Sequence, residues 1–454
     1  MNITLVYPGA LAAPYSLLCL ASILLKNGHA VKIADFTKEE LTEENIISKI
    51  GMPDVIGITS YSTPMIARAV KITKVITKRK PNIFIIWGGI HATLFPKDVL
   101  DQLQVDAVCI GEGENTLLEL VNNLQKGKPI TKIKGLMFKK GKKYMFTGNR
   151  ELIKDLNEIE YPRHLIDINK YIINDRFYGN CFYLIESRGC PFRCSFCITK
   201  VMFGRIYRGR MLSAIIKDIE YLVKKCKINM IWLYDDLPFG GDKKMFIEFC
   251  QAIKKFKIKW SCEYRVNLVD QELVAAMKDS GCTSIYFGVE SYSEKMLKIM
   301  QKDINVEQIN NALNLCFTNG IESIVGLMFG FPEETEEDLI KTIEMANKIG
   351  APMYSFKKYV PYYGTSHFNV HKDKILLPTK IEDWAKFGVL GNFNYSLFNI
   401  NEKKIKKYCR KLAFLALKNG IKYMIKHKTF APDIIRNFKY LYTLGGKKAI
   451  NSID

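Results

Sequence analysis

The sequence predicts an α/β chain with two consecutive α/β domains and a helical C-terminal region. Its 454 residues correspond to about three domains of roughly 150 residues each. Short apolar runs alternate with amphipathic stretches over residues 1–130, and this pattern resumes from 176 to 375. Residues 131–175 are predicted to form a hairpin and a linker, and residues 376–454 a basic helical region.

The composition is that of an ordinary globular protein, with 48% hydrophobic and 25% charged residues. It excludes a disulfide-rich miniprotein, a collagen-like chain and a disordered acidic tail. No apolar run reaches about 18 residues, so no membrane-spanning helix is expected. The first residues lack a basic segment and begin a strand, which predicts that no signal peptide precedes the fold. We therefore expect a cytoplasmic protein with reduced thiols, with contact to the inner membrane face as a further hypothesis.

Five near-continuous apolar runs predict the strands of the first domain: Ile3 to Tyr7, Ala30 to Ala34, Val55 to Thr59, Ile83 to Trp87 and Ala107 to Ile110. Amphipathic helices are predicted between them at Tyr15 to Lys26, Met65 to Thr77, Lys97 to Gln102 and Thr116 to Leu124. Apolar strands covered by helices on both faces are typical of a parallel, doubly wound sheet of Rossmann- or flavodoxin-like type.

Six further strands predict a partial (β/α)6 barrel in the second domain: Phe182 to Glu186, Met230 to Tyr234, Trp260 to Tyr264, Ser284 to Val289, Ser323 to Phe329 and Ser355 to Tyr359. Helical stretches separate them. The active site of such a barrel lies at the C-terminal ends of its strands.

The loops that follow three strands of the first domain predict a ligand site. A doubly wound sheet binds its ligand outside the carboxyl ends of its strands, and paired glycines let a large ligand lie against the backbone. The candidate residues at this edge are Thr59, Ser60, Ser62, Gly88, Gly89, His91, Gly111, Glu112, Gly113, Glu114 and Thr116.

Three of the twelve cysteines cluster directly after the first strand of the second domain. Cys190, Cys194 and Cys197 have the spacing C-x3-C-x2-C, which lets three thiolates hold a [4Fe–4S] cluster and leaves one iron open. A zinc site would need a fourth ligand, but no Cys or His lies between Cys197 and Cys226. A reducing compartment disfavours disulfides. The spacing therefore favours an open-sited catalytic cluster.

The cysteine motif and the sequence around it resemble the cobalamin-binding branch of the radical S-adenosylmethionine enzymes. The resemblance covers about residues 1–370, through GGIHAT (88–93), GEGENT (111–116), ESRGCPFRCSFC (186–197), GVES (288–291), GFPEET (330–335) and PYYGT (361–365). Two residues depart from the usual pattern. Glu333 stands where the family usually has glycine, and Tyr363 stands where proline is usual.

This resemblance implies that Cys190, Cys194 and Cys197 ligate the cluster and that its open iron binds S-adenosylmethionine, which is cleaved to a 5′-deoxyadenosyl radical. The implied S-adenosylmethionine contacts are Phe196, Asp235, Arg265, Glu290 and Ser291. Arg265 matches a carboxylate bidentately, although an ion pair at the barrel rim is the alternative. Asp235 and its neighbour Asp236 have helix capping as their alternative. An external donor such as flavodoxin or ferredoxin would supply the electron.

The resemblance also implies that the first domain binds cobalamin at its three loops. The chain has no D-x-H-x-x-G motif, which supplies a histidine to the lower face of cobalt in methionine-synthase-like domains. His29 precedes the second strand, at the wrong end of the sheet. His91 is expected as a contact and not as a cobalt ligand. We therefore expect cobalamin without a histidine lower ligand.

The expected activity is cobalamin-dependent methylation of an unactivated carbon or phosphorus of a small molecule. One alternative is a cyclase or carbon–carbon bond-forming enzyme whose N-terminal domain holds cobalamin or substrate without methyl transfer. A second alternative, a methylthiotransferase, is disfavoured. Such an enzyme carries three N-terminal cysteines for a second cluster, whereas the first 180 residues here contain only Cys19 and Cys109.

The net charge is +21, and residues 401–454 contain 14 Lys/Arg against three acidic residues. Aromatic and aliphatic residues are interspersed among these cations. The pattern predicts peripheral contact with an anionic membrane and a substrate that is lipid-like or anionic. A solvated helical face is the alternative. Nucleic acid is disfavoured because no recognisable RNA-binding module accompanies the charge.

Overall fold

The computed structural model describes residues 1–62, 64–387 and 402–428, which divide into two compact units. The first unit comprises residues 1–172 together with 376–387, and the second comprises 173–375 together with 402–428. The sequence analysis assigned the chain from 376 onward to a C-terminal region, whereas residues 376–387 pack with the first unit.

The first unit contains the strands β1 (Asn2–Tyr7), β2 (Ala30–Asp35), β3 (Val55–Thr59), β4 (Phe84–Gly88), β5 (Ala107–Cys109), β6 (Leu136–Lys140) and β7 (Lys143–Phe146). They form one sheet in the order β2-β1-β3-β4-β5-β6-β7. Strands β1 to β5 are parallel, and β6 and β7 add the predicted hairpin in antiparallel orientation. The flavodoxin-like doubly wound sheet is confirmed, and its winding reverses between β1 and β3, where such sheets bind ligands.

The helices of the first unit are α1 (Tyr15–Lys26), α2 (Glu43–Ile50), α3 (Pro64–Arg79), α4 (Gly89–Leu94), α5 (Pro96–Gln102) and α6 (Glu114–Gln125). Short 3-10 helices occupy Leu156–Glu158, Arg163–Leu165, Ile168–Tyr171 and Ile381–Lys386. The last of these packs against α3. All five residues of β3 are buried, because helices cover both faces of a parallel sheet.

The second unit contains β8 (Ile173–Asp175), β9 (Gly179–Leu184), β10 (Ser187–Arg188), β11 (Arg208–Gly209), β12 (Met230–Leu233), β13 (Lys259–Tyr264), β14 (Cys282–Glu290), β15 (Glu322–Phe329) and β16 (Met353–Lys358). Seven of these form a sheet in the order β16-β15-β14-β13-β12-β9-β8, and β10 pairs with β11. The six strands from β9 to β16 in this sheet are parallel, and β8 is an antiparallel edge. The predicted six-stranded partial barrel is confirmed.

The helices of the second unit are α7 (Thr199–Phe203), α8 (Leu212–Cys226), α9 (Lys243–Ile253), α10 (Gln271–Asp279), α11 (Glu294–Ile299), α12 (Val306–Asn319), α13 (Glu336–Ile349), α14 (Ser366–His371) and α15 (Glu402–His427). Short 3-10 helices lie at Pro238–Gly241, Lys254–Phe256, Val266–Leu268 and Lys372–Lys374. Reciprocal side-chain bonds cap α12 and α13 at their N-termini. In the described part of the chain, no helix combines the length and apolar character needed to cross a bilayer.

Candidate functional site

The three clustered cysteines lie in one loop between β10 and α7. Cys190, Cys194 and Cys197 are free and partly exposed, whereas the other described cysteines are buried except for Cys226. Burial, together with the nearby Cys197 and Cys194, raises the pKa of the Cys190 thiol to about 11. Burial also raises the pKa of Cys197. These thiols are therefore protonated before a metal binds, and metal binding must displace their protons, as it does at cysteine metal sites in general. The donor set fits a [4Fe–4S] cluster.

Hydrogen bonds anchor this cysteine loop at several points. Asp236 accepts the backbone N–H of Gly189 (3.2 Å) and the hydroxyl of Thr199 (2.8 Å), so one carboxylate holds both ends of the loop. In the middle, the N–H of Ser195 donates to the carbonyl of Met300 at 2.8 Å. The loop is thus preorganised before any cluster binds.

Arg265 contacts the cysteine loop directly. Its guanidinium carbon lies 3.6 Å from the ring centroid of Phe192, and Nη1 lies 3.7 Å from Sγ of Cys194. The remaining donors bind the carbonyl of Lys302 and, at 3.1 Å, Oδ1 of Asn267. A buried cation beside a thiolate stabilises its negative charge. The predicted contact of Arg265 with the carboxylate of S-adenosylmethionine remains a prediction. Its contact with Sγ of Cys194 could not be predicted from the sequence.

Glu290, at the end of β14, forms a buried ion pair that the sequence analysis missed. Its Oε1 accepts from Nζ of Lys302 at 3.1 Å, and both side chains are nearly buried. Nζ of Lys302 also lies 5.8 Å from the ring of Phe196. Glu290 has a positive φ of 69°, which is strained for a residue with a Cβ. Such strain is concentrated at functional sites.

Two more charged residues near Glu290 were also missed. Burial raises the pKa of Glu263 on β13, while Lys357 on β16 lowers it. Burial lowers the pKa of Lys357, but Tyr286, Glu263 and Glu290 together raise it above its usual value. Charged residues within otherwise apolar strands, close to their C-terminal ends, were the available signal. Two carboxylates and two ammonium groups therefore lie near the C-terminal ends of these strands: those of Glu263, Glu290, Lys302 and Lys357. This combination of charges fits a zwitterionic methionine moiety.

Asp235 and Ser291, two further predicted contacts, use their side chains within the protein. Oδ1 of Asp235 accepts the N–H of Glu186 (2.9 Å) and both the N–H and the hydroxyl of Ser187 (2.6 Å each). Burial raises the pKa of Asp235 to about 6. Oγ of Ser291 accepts the N–H of Ser293 at 3.1 Å. Their contacts with S-adenosylmethionine remain predictions.

In the first unit, the loop after β3 packs against the start of α4, because the predicted loop 88–93 is helical from Gly89 onward. The N–H of Ser60 donates to the carbonyl of Gly88 at 3.0 Å, and the N–H of His91 donates to the carbonyl of Ser60 at 3.2 Å. Gly89 has a φ of 87°, and a Cβ there would lie 2.7 Å from the carbonyl oxygen of Ser60 and 2.9 Å from Oγ1 of Thr59. Only glycine permits this close approach.

His91 lies inside the first unit. Its Nδ1 and Oγ of Ser62 are 2.9 Å apart, and its ring centroid lies 5.3 Å from those of both Phe95 and Trp384. Nε2 has no hydrogen-bond partner among the described residues. Burial lowers the pKa of His91 to about 3, so the imidazole is neutral. The ring therefore supports the loops, and its contact with cobalamin remains a prediction.

The loop after β5 is shorter than predicted, because α6 already begins at Glu114 and contains Thr116 in its first turn. Oε2 of Glu112 accepts a backbone N–H at 2.8 Å, and the Thr116 hydroxyl donates to a backbone carbonyl at 3.1 Å. Gly111 has a φ of 80° with open space around its Cβ position, and Gly113 precedes the helix. The strand ends thus expose glycine backbone, while the neighbouring side chains form hydrogen bonds within the protein. Such a surface fits a large flat ligand such as cobalamin, because glycine lets a ligand approach the backbone closely.

Two family models match the chain. The B12 binding domain matches residues 2–121, and the radical SAM superfamily matches residues 184–346. These ranges contain the glycine-lined loops and the cysteine loop, respectively.

Relatives of the chain match over most of its length. An uncharacterized methyltransferase of Pyrococcus horikoshii is 31% identical over 98% of this chain and 94% of its own length. The anaerobic magnesium-protoporphyrin IX monomethyl ester cyclase of Rubrivivax gelatinosus is 30% identical over 81% of this chain and 67% of its own.

Among solved structures, the radical S-adenosylmethionine methyltransferase TsrM of Kitasatospora setae, with cobalamin and a [4Fe–4S] cluster bound, has the same fold. It gives a TM-score of 0.71 at 18% identity, covering 91% of this chain and 88% of TsrM.

Proposed function

Because the chain belongs to the cobalamin-binding radical S-adenosylmethionine enzymes, we propose that it methylates an unactivated carbon or phosphorus of a lipid-like or anionic small molecule. Its cofactors are a [4Fe–4S] cluster, S-adenosylmethionine and cobalamin. When bound, they supply a 5′-deoxyadenosyl radical and a methyl group on cobalt. The proposal depends on one observation: a three-thiol loop and a glycine-lined sheet edge occur in the same chain.

The part of the protein in this activity is to hold and orient the cofactors. Cys190, Cys194 and Cys197 hold the cluster, and the guanidinium of Arg265 stabilises its negative charge at Cys194. Asp236 keeps the loop in place. A flavodoxin or ferredoxin remains the proposed electron donor.

The charged groups at the strand ends are proposed to bind the methionine moiety of S-adenosylmethionine. The carboxylate of Glu290 would accept hydrogen bonds from the amino group of the methionine moiety, and the ammonium of Lys302 would bind the carboxylate of that moiety. The two side chains already pair with each other at 3.1 Å in the protein. Phe196, beneath Lys302, would contact the ligand edge. The side chains of Asp235 and Ser291 form hydrogen bonds within the protein. Their backbone atoms would therefore make the predicted contacts with S-adenosylmethionine.

Isotope labelling tests methyl transfer. Anaerobic incubation of the enzyme with methyl-deuterated S-adenosylmethionine and fractionated cell extract should give a product that carries the labelled methyl group. Mass spectrometry of the fractions detects this product. A product lighter by two hydrogens and free of label would instead support cyclisation, which is the activity of the Rubrivivax relative and the second candidate function.

Bound cobalamin is expected to lack a histidine lower ligand. His91 is enclosed by aromatic rings, and the loop from Pro8 to Pro14 after β1 contains no histidine but carries an exposed Leu11. The electron paramagnetic resonance spectrum of bound cob(II)alamin should therefore show no axial nitrogen superhyperfine splitting. Splitting that disappears in His91→Ala would contradict this prediction.

The exposed face of α15 supports the proposed contact with anionic lipid. Phe414, Ile421 and Ile425 are 67%, 43% and 73% exposed, and spacings of seven and four residues place them on one helical face. Lys411 and Lys418 are exposed on the same side. An apolar stripe flanked by cations is typical of helices that lie on anionic membranes. The rest of the predicted basic region, residues 429–454, lies outside the described residues.

Vesicle binding is expected to require this face. The double variant Lys411→Gln/Lys418→Gln should bind phosphatidylglycerol-containing liposomes about 30-fold more weakly, since each cation near the surface contributes about 1 kcal/mol. Co-sedimentation at several salt concentrations measures this. Phe414→Ser should weaken binding too, while Met52→Ser, which changes an even more exposed apolar residue of the first unit, should not. Equal binding to neutral liposomes would exclude an electrostatic contact.

A further inference from the structure

Three side chains with metal-binding donor atoms lie together in the second unit, and the proposed function uses none of them. Oε2 of Glu333 is 3.1 Å from Nε2 of His367, and Oε1 of Glu333 is 2.6 Å from Nε2 of His371. All three donor groups lie within 4.8 Å of one another. One carboxylate thus faces two imidazoles.

Local structure accounts for this arrangement. His367 and His371 are four residues apart on α14, so their rings project from the same helical face. The hydroxyl of Thr365 caps this helix by accepting the N–H of Phe368 at 3.2 Å. Glu333 lies in the loop between β15 and α13. The carboxylate thus reaches the two histidines from a different segment of the chain.

The donor set and its surroundings match a zinc-type centre. Zinc accepts imidazole nitrogen and carboxylate oxygen, and its bonds of about 2.0–2.1 Å place tetrahedral donors roughly 3.3 Å apart. Nδ1 of His367 is 2.6 Å from the hydroxyl of Tyr359. When a cation binds, Nδ1–H would donate to that oxygen and the Nε2 lone pair would face the metal, in place of the hydrogen bond that Nε2 makes with Glu333. Such outer-shell support is usual for a metal-bound histidine.

The charge and exposure of the cluster also suit a cation. Both oxygens of the Glu333 carboxylate face imidazole nitrogens, at 3.1 Å from Nε2 of His367 and 2.6 Å from Nε2 of His371. The nearby ammonium of Lys295 pairs with Asp338 at 2.6 Å and donates to the backbone carbonyl of Glu333 at 3.0 Å. The Glu333 side chain is 31% exposed, whereas that of His367 is 4% exposed, which leaves an entry path from the glutamate side.

We propose that Glu333, His367 and His371 bind one zinc-type divalent cation, with water as the fourth ligand. The site adjoins the cysteine loop, because the N–H of His367 donates to the carbonyl of Ser195 at 2.9 Å. Phe331 also packs against both the His367 ring (5.1 Å) and the Phe196 ring (6.0 Å). The cation would hold α14 against the loop between β15 and α13, beside the loop that carries the cluster ligands, and it is a positioning element without a step in the reaction.

Metal analysis of the full-length, cluster-reconstituted protein tests the site. After dialysis against micromolar zinc, we expect one zinc per chain in addition to the cluster iron, and zinc K-edge absorption showing only nitrogen and oxygen neighbours. His371→Ala should bind zinc at least about 10-fold more weakly. His164→Ala, which removes an exposed histidine of the first unit, should bind it normally.

Three results would overturn the proposal. They are the absence of bound zinc in the unaltered protein, sulfur neighbours in the absorption spectrum, and unchanged zinc content in His371→Ala. The second variant, Glu333→Gly, removes the carboxylate ligand and keeps the test valid if His371→Ala folds poorly. It should lose zinc while retaining the cluster iron.

Discussion

The Cys194→Ala variant is expected to lose S-adenosylmethionine cleavage by more than about 100-fold while retaining its fold. Two thiolates cannot hold the cluster in the geometry that three provide, and the guanidinium of Arg265 loses the sulfur that it contacts at 3.7 Å. Cys194 is only partly buried, so its truncation leaves no large cavity. Iron content and 5′-deoxyadenosine formation after anaerobic reconstitution measure the effect.

Two further variants make this experiment specific. Cys226→Ala removes the other partly buried cysteine of the described chain and should change neither iron content nor cleavage. Glu290→Gln should retain about four irons but bind S-adenosylmethionine at least about 10-fold more weakly, because it removes the charge that pairs with Lys302. Full deoxyadenosine formation in Cys194→Ala would refute the assignment of the cluster ligands.

The Gly89→Ala variant should destabilise the first unit and weaken cobalamin binding by more than about 10-fold. Its new Cβ would meet the carbonyl of Ser60 at 2.7 Å and Oγ1 of Thr59 at 2.9 Å, in a backbone conformation with a φ of 87°. Clash and strain together should cost roughly 3 kcal/mol. The corresponding decrease in Tm is about 6–12 °C for a unit of this size. Thermal unfolding and a spectrophotometric titration with hydroxocobalamin measure these effects.

Gly28→Ala is the matched control for this strain. Gly28 has a φ of 78°, but nothing lies within 4 Å of its Cβ position. It should cost about 1 kcal/mol from the left-handed conformation alone and leave cobalamin binding intact. If both variants lower Tm equally, the contact of Gly89 with the loop after β3 is not what requires glycine at position 89.

The fold could be predicted because parallel strands are buried on both faces and therefore appear as continuous apolar runs. All eleven predicted strands of the two parallel sheets are present, within a few residues of the predicted ends. The helix α2 was missed because it is short and rich in charged residues, with only two buried positions. The strands β8, β10 and β11 were missed because two or three residues show no periodicity.

Some features of the candidate site could also be predicted from the sequence, and others could not. The cysteine loop could be predicted because its three ligands lie within eight positions, so spacing alone reflects geometry. The contact of Arg265 with Cys194 spans 71 residues, and the pairing of Glu290 with Lys302 depends on how the chain returns after β14. The clustering of Glu263 and Lys357 on β13 and β16 likewise requires the order of the strands in the sheet.

The sequence by itself determined the two domain types and the three-cysteine motif, since local spacing and hydrophobic periodicity survive in any fold that these segments adopt. S-adenosylmethionine and cobalamin followed from the resemblance of the motifs to a family. Only the tertiary structure decided which of the polar groups bond to each other. Ser62 and His91 pair with each other at 2.9 Å, although both follow strand ends where ligands bind. Glu333 meets His367 and His371 from another loop. Burial and hydrogen bonding over long chain separations set these roles, because desolvated polar groups must find partners wherever the fold brings them.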